Sequence, residues 1–147
     1  MSNLNHLKFE IIQGEDASTV VDSFYESDNR SSRARNIDTF LVAFNTENDV
    51  LGCVRLCEEE GVFLLRSMLI HPNYRNKGLG KRLLKEFEKQ LLENLHAPVY
   101  CVPHDYLGDF YSYVGFETIE NEAPQFLFQR VQSYKNNGHN CILMVRK

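Results

Sequence analysis

The stretch VFLLRSMLIHPNYRNKGLGKRLL, residues 62–84, says more about the structure than any other part of the chain. Its first nine residues, 62–70, are mostly apolar and predict a long, largely buried strand. Pro72 ends that strand because proline has no N–H to donate to a sheet. A loop containing Gly78 and Gly80 follows, and apolar residues then recur at helical spacing. The stretch therefore predicts a strand, a glycine loop and a helix in succession.

The glycine loop RNKGLGKR, residues 75–82, has the composition of an anion-binding site. The first N–H groups of a helix have no partners within the helix, and the helix dipole adds partial positive charge at that end. Gly78 and Gly80 lack the β-carbons that would keep a phosphate away from the backbone. Four basic side chains add charge nearby: Arg75, Lys77, Lys81 and Arg82. The loop therefore predicts a diphosphate held by main-chain amides.

Two familiar phosphate motifs do not match this loop. A Walker loop needs glycine at position 75 and serine or threonine at position 82, and both positions are arginine here. A dinucleotide-binding motif needs a third small residue where this chain has Leu83. A helix start with a glycine turn and no ligand stays open as the structural alternative.

The rest of the chain contains predicted strands and helices in a mixed order, which indicates an α/β class with a mixed sheet. The helix after the glycine loop joins two strands, so 62–70 and 99–102 are expected to be parallel neighbours. The segment 121–137 is ambiguous, and its apolar residues permit a helical turn or two. Strands are predicted at 7–12, 40–44, 50–57, 62–70, 99–102, 116–119 and 141–145, and helices at 17–25, 79–92 and 106–114, with Asp16 as a cap of the first.

Composition and charge exclude several classes of protein. The 147 residues are 43% hydrophobic and 24% charged, which suits one globular domain, 1–147, and excludes disorder. A net charge of −4 argues against a nucleic-acid partner. With no long apolar run and no signal-peptide pattern, we expect a cytoplasmic protein without a membrane span. The cysteines are expected to be buried thiols, with no metal: Cys53, Cys57, Cys101 and Cys141.

Two patches of the sequence resemble the GNAT superfamily of N-acetyltransferases. Arg-x-x-Gly-x-Gly, which starts at Arg75, is similar to the acetyl-CoA signature of that family. Tyr-x-x-x-Gly-Phe, at Tyr111 to Phe116, is similar to a second family motif about 30 residues downstream. Both patches occur in the expected order and on the expected elements.

The resemblance implies a mostly antiparallel mixed sheet in which two parallel strands splay apart, with flanking helices. It implies acetyl-CoA (CoA) as co-substrate, its pantetheine arm paired with the backbone of residues 68–70 and its diphosphate held by amides of residues 76–81. The expected cofactor-binding residues are Met68, Leu69, Ile70, Arg75, Asn76, Lys77, Gly78, Leu79, Gly80 and Lys81.

Acetyl transfer also needs a proton for the leaving thiolate and a donor for the oxyanion. The resemblance implies that Tyr111 protonates the thiolate, and a phenol with an ordinary pKa of about 10 carries a proton to give at neutral pH. Packing of a short helix is the alternative for Tyr111, and Tyr113 is the second candidate. A backbone N–H near Leu69 or Ile70 is the expected oxyanion donor.

No general base is assigned. Some family members place a glutamate on the strand before the signature, but no carboxylate occurs within residues 62–70. The acidic run 58–60 is typical of a solvated turn. His71 has an ordinary pKa of about 6.5, yet its place just past the strand favours a capping or surface role. His104 stands where the family often has an asparagine that contacts the cofactor, and we do not assign that role to His104. Asp105 is interpreted as a helix cap.

Arg66 interrupts the apolar strand, where a charge is costly unless it is paired. It either pairs with an acid such as Glu58 or binds a carboxylate of the acceptor, which would make the acceptor amino-acid-like. With a period of two, Arg66 would share a face with Leu64 and Met68. Arg55, on the neighbouring strand, is read either as a second partner or as a surface charge.

Three functions follow as hypotheses. The first is an N-acetyltransferase that acts on a small primary amine in a ternary complex, with a protein amine as an open variant. The second is a non-catalytic acyl-CoA-binding or sensing domain. The third is a thiol enzyme with an acetylated Cys101. A homodimer is an open alternative, and residues 126–128 are a candidate interface, substrate wall or, by default, core.

Overall fold

The computed structural model describes residues 6–30 and 32–147. These residues form seven strands and four α-helices; the second, third and fourth strands follow one another directly, and a helix lies between each other pair of consecutive strands. The strands are β1 (Lys8–Gln13), β2 (Thr39–Phe44), β3 (Val50–Glu59), β4 (Val62–Ile70), β5 (Val99–Cys101), β6 (Glu117–Thr118) and β7 (Met144–Arg146). The helices are α1 (Glu15–Ser27), α2 (Leu79–Phe87), α3 (Gly108–Ser112) and α4 (Gln125–Asn136).

The chain divides into two compact units, and β4 contributes to both. The first unit contains the described residues up to Glu58 together with Leu65–Leu95, and its strand order is β1-β2-β3-β4. β1 pairs antiparallel with β2, from Lys8 opposite Phe44 to Gln13 opposite Thr39. β2 pairs antiparallel with β3.

A buried apolar cluster joins α1 to one face of this sheet. Helical spacing places the buried residues of α1 on one side of the helix, and alternation along β2 supplies the facing side chains. The cluster consists of Ala17, Val21, Phe24, Tyr25, Phe40, Val42, Phe44, Cys53 and Leu69. Truncating a large member would cost about 2–5 kcal/mol, so this contact fixes α1 on the sheet.

A two-residue turn connects β3 to β4. Glu60 has φ 48° and Gly61 has φ 82°, the two positive values that a tight hairpin turn requires. The turn is shorter than the predicted one: Glu58 and Glu59 belong to β3, and Glu59 pairs with Arg130 of α4 at 2.6 Å. The prediction that the whole run 58–60 is a solvated turn was wrong, because Glu59 has a cationic partner far along the chain.

The second unit contains Glu59–Leu64 and His96–Lys147, with the strand order β4-β5-β7-β6. β4 and β5 are parallel, with Phe63 opposite Val99, and this is the pair that the sequence predicted. β7 runs antiparallel to both β5 and β6. The predicted mixed, mostly antiparallel sheet with helices is therefore confirmed.

Three local predictions need correction. Gly14 rather than Asp16 is the residue before α1, and Asp16 lies in the first turn of the helix. Within the segment 121–137, the residues Gln125–Asn136 form a full helix, α4, of which only Leu127 is completely buried. Ser67 has φ 55°, so the two-residue alternation of β4 is broken between Arg66 and Met68.

Candidate functional site

The strand β4 ends in a short loop that the side chain of His71 caps. The His71 backbone N–H donates to the carbonyl of Leu51 at 2.7 Å, and its Nδ1 accepts the N–H of Asn73 at 3.1 Å. These contacts start the 3₁₀ turn Pro72–Tyr74. The interpretation of His71 as a capping residue is confirmed, and its Nδ1 is already used as an acceptor.

Arg75 ties the loop to the elements around it. Its Nε donates to the carbonyl of Ile70 at 2.9 Å, and its Nη2 pairs with Asp28 Oδ1 at 3.2 Å. Hydrogen bonds from Arg30 and then from Arg75 lower the pKa of the Asp28 carboxyl. Arg75 was predicted to bind the cofactor; in the structure its guanidinium holds the loop between the end of β4 and the end of α1.

Two residues with left-handed backbone shape the loop just before α2. Asn76 has φ 62° and Gly78 has φ 87°, and Gly78 is the residue at the helix start. The N–H of Arg82 donates to the Gly78 carbonyl at 3.2 Å, which closes the first turn. The N–H groups of Leu79 and Gly80 precede that bond, so helix geometry leaves them without an acceptor inside α2.

This helix start fits an anionic group such as a diphosphate. A β-carbon placed on Gly78 would meet no heavy atom within 4 Å, so the approach to the backbone is open. The first turn of α2 contains no acidic residue. The basic side chains around it are exposed: Lys77, Lys81 and Arg82. Successive amides at a turn and the positive end of a helix both favour negative charge.

A glycine in β3 allows α2 to pack closely on the sheet beside this loop. A β-carbon on Gly52 would lie 2.9 Å from Cδ1 of Ile70 and 3.4 Å from Cδ2 of Leu83. A larger residue would require the Ile70 side chain to move and would crowd the Leu69 carbonyl, 3.3 Å from that β-carbon. Gly52 therefore helps to fix the distance between the end of β4 and the start of α2.

The segment of β4 predicted to pair with the pantetheine arm begins immediately after Ser67. Leu69 is buried in the α1 cluster, whereas Met68 and Ile70 are half-buried. The Ser67 carbonyl accepts the hydroxyl of Tyr25 at 2.6 Å. One end of this segment is therefore fixed from α1, and the other end is fixed by Arg75 at the Ile70 carbonyl.

Arg55 is a buried ion-pair residue, and the surface-charge interpretation of it was wrong. Only 6% of Arg55 is exposed, and its Nη1 pairs with Asp38 Oδ2 at 3.1 Å. The guanidinium also lies over the rings of Phe40 and Tyr25, 5.1 and 5.9 Å from their centroids. The acid lies 17 residues away, and no local pattern links it to Arg55. Arg66 is half-buried on β4, and its predicted role stays a prediction.

Tyr111 lies on α3 with only 7% of its surface exposed. Its ring meets Phe110 and Phe116 edge to face, at centroid distances of 5.1 and 6.2 Å. Its carbonyl accepts the N–H of Val114 at 3.1 Å, which helps to end the helix. Tyr111 is thus part of an aromatic core, while its role as a proton donor stays a prediction. Tyr113 is 47% exposed.

The remaining candidates have structural partners. His104 stacks on Tyr106 at 5.5 Å and forms an isolated bridge with Cys141. Asp105 donates its N–H to the Asn140 carbonyl at 2.8 Å, rather than capping a helix with its side chain. Burial raises the pKa of the Cys101 thiol, which opposes a thiolate nucleophile there.

All four cysteines are buried thiols rather than half-cystines, as predicted. Within residues 6–30 and 32–147, no group of three His, Cys, Asp or Glu residues could hold a metal ion. In the same part of the chain, no helix is both long and apolar enough to cross a membrane.

Sequence reasoning missed two residues around the candidate site, Tyr25 and Asp38. Tyr25 looked like an ordinary apolar position of α1, and its contact with Ser67 spans 42 residues. Asp38 lies in a polar loop, although only 1% of it is exposed. The role of neither residue could be predicted from its neighbours in the sequence, because each acquires that role from a partner on another element.

The described chain has a parallel strand pair, β4 with β5, and, separately, a glycine-containing loop at the start of α2. The family model for the acetyltransferase (GNAT) domain matches residues 36–118, more than half of the chain. The chain belongs to this family of acetyltransferases. No curated protein sequence matches the chain as a relative.

Solved structures with the same fold agree with the family. A candidate N-acetyltransferase from Lactobacillus plantarum superposes with a TM-score of 0.70 at 14% identity, over 97% of this chain and 98% of that one. A GNAT-family acetyltransferase from Staphylococcus aureus superposes with a TM-score of 0.58 at 19% identity, over 95% of this chain and 98% of that one. At these identities the likeness shows the fold alone.

A third structure contains ligands. N-acetylglutamate synthase from Neisseria gonorrhoeae, complexed with coenzyme A and N-acetyl-glutamate, gives a TM-score of 0.61 at 18% identity. The match covers 95% of this chain but 35% of the synthase, so this chain spans about a third of the length of that protein.

Proposed function

We propose that this chain is an acetyl-CoA-dependent N-acetyltransferase that acetylates a primary amine of a small molecule. The observation that carries the proposal is the loop between β4 and α2, where Gly78 leaves the backbone open and no acidic residue occupies the first turn of α2. Membership of the GNAT family supplies the reaction class.

Apart from Arg75, the predicted cofactor-binding residues keep their roles in this proposal. The amides of residues 76–81 would hold the diphosphate, with Lys77 and Lys81 adding positive charge. The backbone of Met68, Leu69 and Ile70 would pair with the pantetheine arm. Arg75 would act on the loop by holding it to the Ile70 carbonyl, 2.9 Å from its Nε.

When bound, acetyl-CoA supplies a thioester from which the acetyl group is transferred. The amine nitrogen forms a bond to the acetyl carbon, the carbon–sulfur bond breaks, and the amine loses a proton. Tyr111 Oη would carry the proton that the sulfur takes up, since a phenol is protonated at neutral pH. The group that accepts the amine proton is left unassigned, because β4 contains no carboxylate.

Arg66 supports a finer proposal, that the acceptor is amino-acid-like and carries a carboxylate. A guanidinium on a half-buried strand position suits two-point binding of a carboxylate. Arg66→Met should raise KM for such an acceptor, whereas Arg66→Lys keeps the positive charge but loses the two-point geometry, so its KM should lie between those of wild type and Arg66→Met. Equal KM and kcat for wild type and Arg66→Met would reject this role.

Turnover with labelled acetyl-CoA and a panel of amines tests the proposed function. The panel should contain amino acids, including glutamate, matched amines without a carboxylate, and a lysine-rich peptide. Transfer to a small amine supports the proposal, and preference for the carboxylate-bearing member supports Arg66. Transfer to the peptide alone would favour a protein acceptor. Tight binding of CoA without transfer to any amine would favour the non-catalytic sensor.

A further inference from the structure

The strand β4 contains a backbone irregularity directly before the segment proposed to bind acetyl-CoA. Ser67 has φ 55°, and it is the one non-glycine residue with positive φ inside a strand of the described chain. The left-handed region is unfavourable for a residue with a β-carbon. Some contact must therefore favour this conformation over regular strand geometry.

The contact is a hydrogen bond from α1. The Tyr25 hydroxyl donates to the Ser67 carbonyl at 2.6 Å, and Tyr25 is completely buried. Burial raises the pKa of the Tyr25 phenol well above its ordinary value, so the proton needed for this bond is present at any physiological pH. This carbonyl, which lies within a strand, accepts a hydrogen bond from a helix side chain.

The ring of Tyr25 is itself held in place by a buried ion pair. The guanidinium of Arg55 lies 5.9 Å from the Tyr25 ring centroid, and Arg55 pairs with Asp38 at 3.1 Å. The Asp38 side chain has no exposed surface and also pairs with Arg35 at 2.9 Å. A continuous set of contacts thus leads from Asp38 through Arg55 and Tyr25 to the backbone of β4.

The geometry of a peptide bond carries this restraint to the next residue. No cis peptide bond occurs among the described residues, and in a trans peptide the C=O and N–H point in opposite directions. Because the Ser67 carbonyl points to Tyr25, the N–H of Met68 points the opposite way. Residues 68–70 follow directly, so their orientation depends on this peptide.

We propose that Tyr25 is a positioning residue for the acyl-CoA site: its hydroxyl sets the Ser67–Met68 peptide and, through it, the backbone of residues 68–70. The inference rests on the proposed function. Tyr25 itself touches neither the cofactor nor the reacting atoms. Its effect should therefore appear in the binding of CoA and in KM for acetyl-CoA rather than in kcat.

The test is Tyr25→Phe, which keeps the buried ring and removes one oxygen. Val21→Ala, on the same helix and equally buried, is the matched control for a general loss of stability. For Tyr25→Phe, Kd for CoA by calorimetry and KM for acetyl-CoA should each rise about twofold to tenfold, the factor that one hydrogen bond typically supports. The amides of residues 68 and 69 should also exchange hydrogen faster. Val21→Ala should have a lower melting temperature than the wild type but the same affinity for CoA.

The possible failures are distinguishable. Wild type that does not bind CoA overturns the proposed function and the inference with it. The inference alone is overturned if the wild type binds CoA and Tyr25→Phe binds it equally well, with unchanged amide hydrogen exchange at residues 68 and 69. Equal weakening of CoA binding by both variants would also overturn it, because the effect would then reflect stability.

Discussion

Arg55→Met removes the cation from the buried pair and keeps most of the aliphatic side chain. Asp38, whose side chain has no exposed surface, would then depend on Arg35, which is 43% exposed. The contacts of the guanidinium with Phe40 and Tyr25 would be lost as well. We therefore expect a large loss of folding free energy from a single substitution.

The magnitude follows from what remains around Asp38. Removing one partner of a buried ion pair typically costs about 3–5 kcal/mol, because a charge is left in a poor solvent. Arg35 keeps its bonds to the Asp38 carboxylate, at 2.9 and 3.1 Å, and reduces that cost. The expected loss for Arg55→Met is therefore about 2–4 kcal/mol.

Urea denaturation monitored by circular dichroism measures this loss. The midpoint should fall while the slope stays unchanged, which indicates a change in stability rather than in the unfolded state. Arg35→Met is the control, since a half-exposed partner should contribute less than about 1 kcal/mol. A loss for Arg55→Met within about 0.5 kcal/mol, as for an ordinary surface substitution, would refute the argument that this pair is buried and dependent on Arg55.

Three further predictions concern the loop and the proposed chemistry. Gly78→Ala should weaken CoA binding in calorimetry. Gly138→Ala is the control, because Gly138 has nearly the same φ as Gly78, 85° against 87°, and a β-carbon there would also meet no neighbour. Both variants should lose a similar amount of stability, about 1 kcal/mol, but Gly138→Ala should leave CoA binding unchanged. Tyr111→Phe should lower kcat about a hundredfold in steady-state assays, as expected for loss of a general acid, and an unchanged kcat would remove Tyr111 from that role. The pKa of Asp28 is lowered in the folded chain, so its contribution to stability is present above the unfolded pKa of about 3.9 and lost as the pH falls through the folded value. Below pH of about 4 the melting temperature of wild type should therefore approach that of Asp28→Asn, and a constant difference would contradict this assignment.

Regular elements with strong periodicity could be predicted from the sequence. The strand over residues 62–70 and the helix that starts at Leu79 stand at the predicted positions, because dense apolar patterns and Pro72 leave few alternatives. The parallel pairing of β4 with β5 followed from the single helix between them. α4 was underestimated because only Leu127 of its apolar residues is completely buried.

The supporting contacts of the candidate site could not be predicted. Asp38 and Arg55, and likewise Tyr25 and Ser67, meet only after the sheet and α1 have assembled, so no local spacing reports them. Ser67 has a left-handed backbone, but it is neither glycine nor asparagine, so its residue type did not predict that conformation. The glycine loop and the helix start after it, by contrast, could be predicted, because the glycines and the first helical residues are adjacent in the sequence.

The measurement that tests the central claim most directly is binding of CoA compared with pantetheine, followed by calorimetry and by amide NMR. CoA should bind, the amide resonances of residues 76–81 should shift, and pantetheine, which lacks the diphosphate, should bind far more weakly. Equal affinity for the two compounds, or CoA binding that leaves those amides unchanged, would contradict a diphosphate site at the start of α2.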